Sequence, residues 1–277
     1  MQAMPDRRDT GWMRELERRY RAKAARVSLL VGILQAVLLA AFLVLWEAAV
    51  RYGWLDELLF SHPTKIARTL ADLAASGTLL PHVMTTVIET TAGFVLGTLG
   101  GTLLAALLWW FPVAARVLDP YLVVLNSLPK VALGPIFIVG FGPGYLAIIM
   151  TAVAVTIIIT TLTIYGRFRE IDANYLKVVR LFGGTRWQVF RLAVLPASLP
   201  TIVSALKVNV GLSWVGVIVG EFLTAKRGLG YLIIYGFQVF NFTLVLSSLI
   251  VIGVVAALMY GLVSLVEARM SPGYRVR

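Results

Sequence analysis

Residues able to do chemistry are few in this chain. There is no cysteine, which removes thiolate nucleophiles, disulfides and cysteine metal ligands. His62 and His82 stand far apart in polar stretches, so a histidine metal site is not expected. Neither G-x-x-x-x-G-K-[ST] nor another nucleotide motif occurs, so ATP is expected to bind elsewhere if it is used at all. Buried mid-membrane carboxylates would mark an ion-coupled carrier, and none is read from the spans below. No nucleophile–base pair lies within an apolar run either. The expectation is a chain with no catalytic residues and no metal site, not an enzyme.

Some polar groups nevertheless interrupt the apolar runs. Lys130, flanked by Pro129, Gly134 and Pro135, would cost about 2.5–3.5 kcal/mol in mid-membrane. Two readings stay open: a cation beside a translocation path that attracts an anionic solute, or a structural lysine satisfied by backbone carbonyls that the prolines release. Asn126, one turn earlier, could share either role. Asn209, Ser213 and Trp214 fall close to one face of a later run, with Glu221 near its outer end. Glu221 could meet a binding protein, line an outer gate, or pair with Lys226 or Arg227; the ion pair is the favoured reading. Lys207 is expected to snorkel. Gly93, Gly97 and Gly101, and again Gly216 and Gly220, repeat G-x-x-x-G, for which close helix packing is the expected role.

The elements that must position these groups are membrane spans. Of 277 residues, 59% are hydrophobic and 14% charged, with mean hydropathy +0.84; a soluble domain is nearer 45–50% and about 25%. Spans of about 20 residues are read at Ser28–Val50, within Thr90–Ala115 and a few residues before it, and at Leu118–Val139, Tyr145–Tyr165, Thr201–Thr224 and Phe242–Val266. Gly140 to Gly144, with Pro143, divides the third from the fourth. The first run, at 20 residues from Val27 to Trp46, is longer than a leader's apolar core and is expected to stay in the mature chain.

Charge orients the set. Segments 1–26, 111–117, 166–200 and 267–277 carry 18 Lys and Arg, and segments 51–82, 140–144 and 225–241 carry 5. That asymmetry puts both termini in the cytoplasm, and it accounts for the net charge of +11 without nucleic acid as a partner. The expected organisation is a basic amino-terminal helix at 1–27, lying on anionic lipid over 11–26, and a first span at 28–50. An outer segment follows at 51–82, with an interfacial helix whose Ile66, Leu70 and Leu73 share a face. Five spans make a core at 83–267, and a tail runs over 268–277.

One cytoplasmic segment, EIDANYLKVVRLFGGTRWQVFRLAVLPASLP at 170–200, is patterned beyond its length. Tyr175, Val178, Val179 and Phe182 fall on one side of a helix, with Lys177 and Arg180 toward another. Gly183 and Gly184 supply a helix stop. Thr185-Arg186-Trp187-Gln188 is a T-x-x-Q capping box that opens a second helix. Pro196 and Pro200 bracket the approach to the fifth span. From the residues alone this is either a lever for a cytoplasmic partner or an ordinary loop with interfacial helices.

The run from Leu176 to Trp187, LKVVRLFGGTRW, followed by VLPASLP at 194–200, resembles the "EAA" loop of permeases in bacterial ABC importers, most closely the nitrate/sulfonate/taurine/bicarbonate-type branch. The likeness extends through SLPKVALGP (127–135), Phe141-Gly142, GLSW (211–214), GEFL (220–223) and GLGYL (228–232), and so covers roughly residues 60–267. It implies an all-α type I importer permease fold of about six spans in the bacterial inner membrane. It further implies a second permease copy in a homodimer, an extracytoplasmic solute-binding protein, and two ATP-binding subunits that hold ATP and Mg while this chain holds no cofactor. The solute would be a small anion such as nitrate, a sulfonate, taurine or bicarbonate, or a vitamin precursor, moved by alternating access. Tyr175, Leu176, Lys177, Val178, Val179, Arg180, Phe182, Gly183, Gly184, Thr185, Arg186 and Trp187 would form the ATPase-coupling hairpin. Lys177-Val178-Val179 stands where the family has Glu-Ala-Ala, so a glutamate charge pair to the ATPase is not available. A stand-alone channel or secondary carrier is the other reading of the apolar spans.

Overall fold

The computed structural model describes residues 10–270, and these are helical throughout, joined by short turns. Five helices are long and apolar enough to cross a bilayer, and a sixth crossing is supplied if one sharply bent pair is counted together.

The segment up to Lys65 is one compact unit. Helix α1 (Thr10–Arg51) runs unbroken for 42 residues, about 63 Å at 1.5 Å per residue. The basic stretch and the first span are therefore one helix, where the sequence reading separated a surface helix from a crossing. No proline interrupts Thr10–Arg51, so nothing forces a break. Leu34, Leu38 and Leu45 are exposed along it, a surface suited to lipid. Asp56 caps the single turn α2 (Glu57–Phe60) by accepting from the amides of Leu58 (2.7 Å) and Leu59 (3.2 Å). Glu47 accepts from the Thr64 amide (3.0 Å) and hydroxyl (2.6 Å), which fixes the end of α1 against the turn that opens α3 (Pro63–Ala75). In α3 Ile66 is buried and Leu70 and Leu73 are half-buried, so the three residues read on one face are the less exposed ones.

The larger unit, from Ile66 onward, is built on α4 (Leu79–Trp110), α7 (Tyr145–Arg169) and α10 (Leu195–Thr224). Helix α7 is clamped between the other two. A Cβ placed on Gly93 would stand 2.5 Å from the Cβ of Ala152, and one on Gly216 would stand 2.5 Å from the Ala152 Cα. At Gly97 it would lie 1.7 Å from the Thr156 hydroxyl, and at Gly101 2.6 Å from the Thr160 Cβ. Gly220 leaves room for Ile148 in the same way, at 3.0 Å. Small residues thus bring three backbones together where lipid supplies no hydrophobic drive for association.

The third predicted span is not straight. Helix α5 (Pro112–Ser127) and the pair formed by a 3₁₀ turn (Lys130–Leu133) and α6 (Gly134–Phe141) meet at 94°. Pro129 cannot donate the amide that would carry α5 onward, and Leu128 before it is extended at φ −64°, ψ 141°. After α10, residues 225–241 fold a further short helix, α11 (Leu229–Gln238), which packs on α12 (Phe242–Met270). The interhelical hairpin at 170–200 supplies α8 (Ala173–Leu181) and the single turn α9 (Arg186–Val189).

Candidate functional site

Helix α8 starts at Asp172, whose carboxylate accepts from the Asn174 amide at 2.8 Å. Leu176 and Val179 turn onto a buried cluster of Ala105, Ile164, Phe168, Ile171, Val189 and Val194. On the opposite side Tyr175, Val178, Leu181 and Phe182 are 67%, 52%, 85% and 87% exposed. Val179 therefore parts from the face on which the sequence reading placed it. The helical step of 100° between neighbours carries it inward, and it packs over Gly184, where an added Cβ would lie 2.6 Å from Val179 Cγ1. Lys177 and Arg180 are exposed.

The helix stops at Gly183, whose φ of +75° is a conformation that side chains with a Cβ resist. The Gly184 amide closes the end by donating to the Val179 carbonyl at 2.9 Å. Thr185 then opens α9 with the capping box read from T-x-x-Q. Its hydroxyl accepts from the Gln188 amide (3.3 Å), and its own amide donates to Gln188 Oε1 (2.7 Å). Arg186 lies over the rings of Trp109 (5.4 Å) and Trp110 (5.3 Å) and donates to the Trp109 carbonyl at 3.1 Å. Trp187 stacks on Phe190, with centroids 6.1 Å apart. These contacts hold the hairpin to the end of α4 and leave its apolar side open.

No loop separates the hairpin from α10. A π turn at Phe190–Val194 joins α9 to α10, and the whole run Arg186–Thr224 is helical over 39 residues. Pro196 and Pro200 withhold amides from this stretch, and Pro196 sits in the first turn of α10, where a missing N–H is tolerated.

The remaining polar residues divide in two. Asn126 and Lys130 lie at the 94° break, where the Lys130 ammonium donates to the Asn126 carbonyl at 2.6 Å. Asn209, Ser213, Trp214 and Glu221 are buried between helices of the subunit, each at most 5% exposed. The Asn209 amide donates to the hydroxyls of Thr98 and Thr160, both at 2.8 Å, and so ties α10 to α4 and α7. Ser213 returns its hydroxyl to the Asn209 carbonyl at 2.7 Å. Lys207 does not snorkel free: it pairs with Glu267 of α12 and lies 6.0 Å over the Tyr260 ring.

Glu221 departs furthest from expectation. Its partners are not Lys226 or Arg227. Its carboxylate accepts from the Thr86 hydroxyl (2.6 Å) and from the Gly230 amide (2.5 Å) at the start of α11. Thr86 in turn accepts from the Leu229 amide (2.8 Å), and His82 Nδ1 meets Gly228 at 3.1 Å. Two side chains of α4 and one of α10 thereby satisfy the free amides with which α11 begins. Gly228, at φ +127°, must be glycine for a further reason: an added Cβ would stand 2.3 Å from the Glu221 carboxyl. The GEFL and GLGYL motifs are two halves of one latch.

Glu89, absent from the sequence reading, completes it. It is 1% exposed, lies within hydrogen-bonding reach of Glu221, and its Oε2 has no partner among the described residues. The sequence reading begins the second span a few residues before Thr90 and gives Glu89 no role, whereas α4 begins at Leu79 and carries Glu89 into the bundle beside Glu221. His82, Thr86 and Glu89 follow the i, i+4, i+7 spacing of one helical face, and that was the available signal.

A bundle of five or six apolar crossings among the described residues, one of them continuous with a hairpin whose apolar face is exposed, is the architecture of a multi-pass membrane protein. The chain belongs to the family of binding-protein-dependent transport system inner membrane components, whose model matches residues 77–272. It is similar to the putative aliphatic sulfonates transport permease protein SsuC of Bacillus subtilis, at 26% identity over 96% of this chain and 89% of that protein. It is also similar to the formylaminopyrimidine transport permease protein ThiX of Halalkalibacterium halodurans, at 32% identity over 68% of this chain and 75% of that protein. Its fold matches a subunit of the MetNI methionine ABC transporter (TM-score 0.59, 22% identity, 69% of this chain and 94% of that one). It also matches a chain of a bacterial importer of the acidic polysaccharide alginate (TM-score 0.64, 13% identity, 94% and 99%). It is an ABC importer permease, an all-α multi-pass membrane protein with the type I permease fold.

Proposed function

We propose that this chain forms the translocation path of an importer in the bacterial inner membrane and is driven through the α8–α9 hairpin by a separate ATP-binding subunit. The observation that carries the reading is the open apolar face of Tyr175, Val178, Leu181 and Phe182. An exposed patch of that kind, on a rigid helix whose other face is anchored, is what a partner groove requires. The charge asymmetry of 18 to 5 supports placing this hairpin and both termini inside the cell. Two permease copies, two ATPases holding ATP and Mg, and an outer solute-binding protein complete the assembly. Docking rests on shape and apolar contact, with Arg180 at the edge, because Lys177-Val178-Val179 offers no acidic partner. The solute is small, and the Lys130 ammonium at the break beside Asn126 favours one with an acidic group.

The absence of cysteine makes the test clean. Phe182→Cys is the only thiol in the chain and is expected to crosslink to the co-purified ATP-binding subunit, with a yield that changes on adding ATP. Uptake by proteoliposomes is expected only when that subunit and ATP are present. Transport by the permease alone, without ATP, would establish a channel or carrier instead.

A further inference from the structure

We propose that the cavity between α8 and the ends of α4 and α7 binds the phosphate of an anionic phospholipid headgroup. The cavity, about 680 Å³, is lined by Trp109, Tyr165, Arg169, Leu176, Arg180 and Arg186 among others. Arg186 is held flat against two indoles and uses one donor on the Trp109 carbonyl at 3.1 Å. Arg169 lies 5.8 Å over the Tyr165 ring. A guanidinium carries five donors, so both keep most of theirs. None of the three arginines has a carboxylate within ion-pair distance among the described residues, and Glu170, next in sequence, turns to Arg167 at 3.9 Å. Three uncompensated guanidinium groups around one hollow attract an anion, and phosphate suits their planar fork.

The surroundings select a lipid. Trp109, Trp110 and Tyr165 stand at or near the ends of two spans, the level at which aromatic side chains meet headgroups. The inner wall is apolar, with Leu108 and Phe168 7% and 2% exposed, which suits the glycerol and acyl start better than a free ion. Basic pockets between span ends are an established way of holding such headgroups. Because Leu176, Arg180 and Gly184 form part of the lining, an occupant would brace the hairpin against α4 and α7. The apolar surface offered to the ATPase, made by Tyr175, Val178, Leu181 and Phe182, lies on the other side of α8 and includes neither Arg169 nor Arg186, so the two sites can fail separately.

The test is titration of the detergent-purified, delipidated full chain, followed by native mass spectrometry. Phosphatidylglycerol, phosphatidylcholine, inorganic phosphate and a polyglutamate peptide are the four probes. Phosphatidylglycerol is expected to bind one per chain, with affinity falling about five- to tenfold for each of Arg169→Gln and Arg186→Gln, and phosphatidylcholine and phosphate to bind far more weakly. Arg169→Lys should retain part of the affinity, and Arg169 is exposed, so its loss should leave the melting temperature unchanged. Equal binding of the two lipids, equal binding by the arginine double variant, or saturation by phosphate or polyglutamate in place of lipid would overturn the proposal.

Discussion

Replacing Glu221 by alanine tests whether the latch holds α11 to α4 and α10. Two accepted hydrogen bonds are lost, from Thr86 at 2.6 Å and from the Gly230 amide at 2.5 Å. Side-chain hydrogen bonds inside membrane bundles average about 0.6 kcal/mol and reach about 1.7. A buried donor left without a partner adds about 1–3 kcal/mol. Thr86 can redirect its hydroxyl to the His82 carbonyl, 3.2 Å away, so the backbone group stranded is the Gly230 amide, and Glu89 loses its carboxyl neighbour. Glu221→Ala should therefore cost about 2–4 kcal/mol, read as a lowered unfolding midpoint in detergent and faster proteolysis within residues 225–241. Glu221→Gln keeps an oxygen for Gly230 and puts its NH2 where Oε1 met Thr86, whose hydroxyl can turn to the His82 carbonyl and accept from it, so it should stay within about 1 kcal/mol of the parent. The reasoning fails if alanine melts with the parent chain, or if glutamine is as damaging as alanine.

Substitutions at Phe182, Gly183, Gly97 and Lys130 separate docking, packing and path. Phe182→Asp, at a side chain 87% exposed, should leave the melting temperature within about 0.5 kcal/mol of the parent while abolishing ATP-driven uptake; surviving uptake would remove the hairpin from the mechanism. Gly183→Pro loses both the φ of +75° and the amide that donates to the Arg180 carbonyl at 2.9 Å, so uptake should disappear while membrane insertion persists. Gly97→Ala drives a methyl to 1.7 Å from the Thr156 hydroxyl and should lower stability by about 1–3 kcal/mol in a detergent melt, with Gly100→Ala, at 3.0 Å from the end of the Ile157 side chain, milder. Lys130→Gln should reduce uptake of an acidic solute more than Lys130→Arg does, a comparison of initial rates in proteoliposomes.

The glycine stripes and the Thr185 capping box were legible because each depends on neighbours a few residues away on one helix. The last three crossings were legible to within two turns, since length and hydropathy set them, whereas α1 and α4 extend well beyond the spans read for them. What escaped depends on tertiary context. Pro129 and Pro135 announce a disturbance near Lys130, but only packing against α7 and α10 sets the 94° turn. Ion pairing looked best for Glu221 because Lys226 and Arg227 are close in sequence; Thr86, 135 residues away, is the actual partner. Glu89 sat at the edge of a charge-free run and was taken as its boundary. The continuity of α1 was readable, since basic residues are good helix formers and no proline intervenes.

Placing the latch and the hairpin on one helix has a mechanical consequence. From Arg186 to Thr224 the chain runs 39 residues, about 58 Å at 1.5 Å per residue, with the hairpin at one end and Glu221 near the other. Helix α10 lies against α7 through Gly216 and Gly220, and α7 against α4 through Gly93, Gly97 and Gly101, at distances that leave no side-chain cushion. Asn209 binds both neighbours midway. A push on α8 therefore cannot be absorbed by sliding within the three-helix core. It has two outlets: rotation of the core as one body, or compliance at the π turn Phe190–Val194, where the regular ladder is already broken. Pro196 and Pro200, two and six residues beyond, leave carbonyls free in that turn and the next, which makes this the softest place between hairpin and latch. Rigid beyond the turn and adjustable at it, the helix can seat the hairpin on a partner without disturbing the bonds Glu221 makes to α4 and α11.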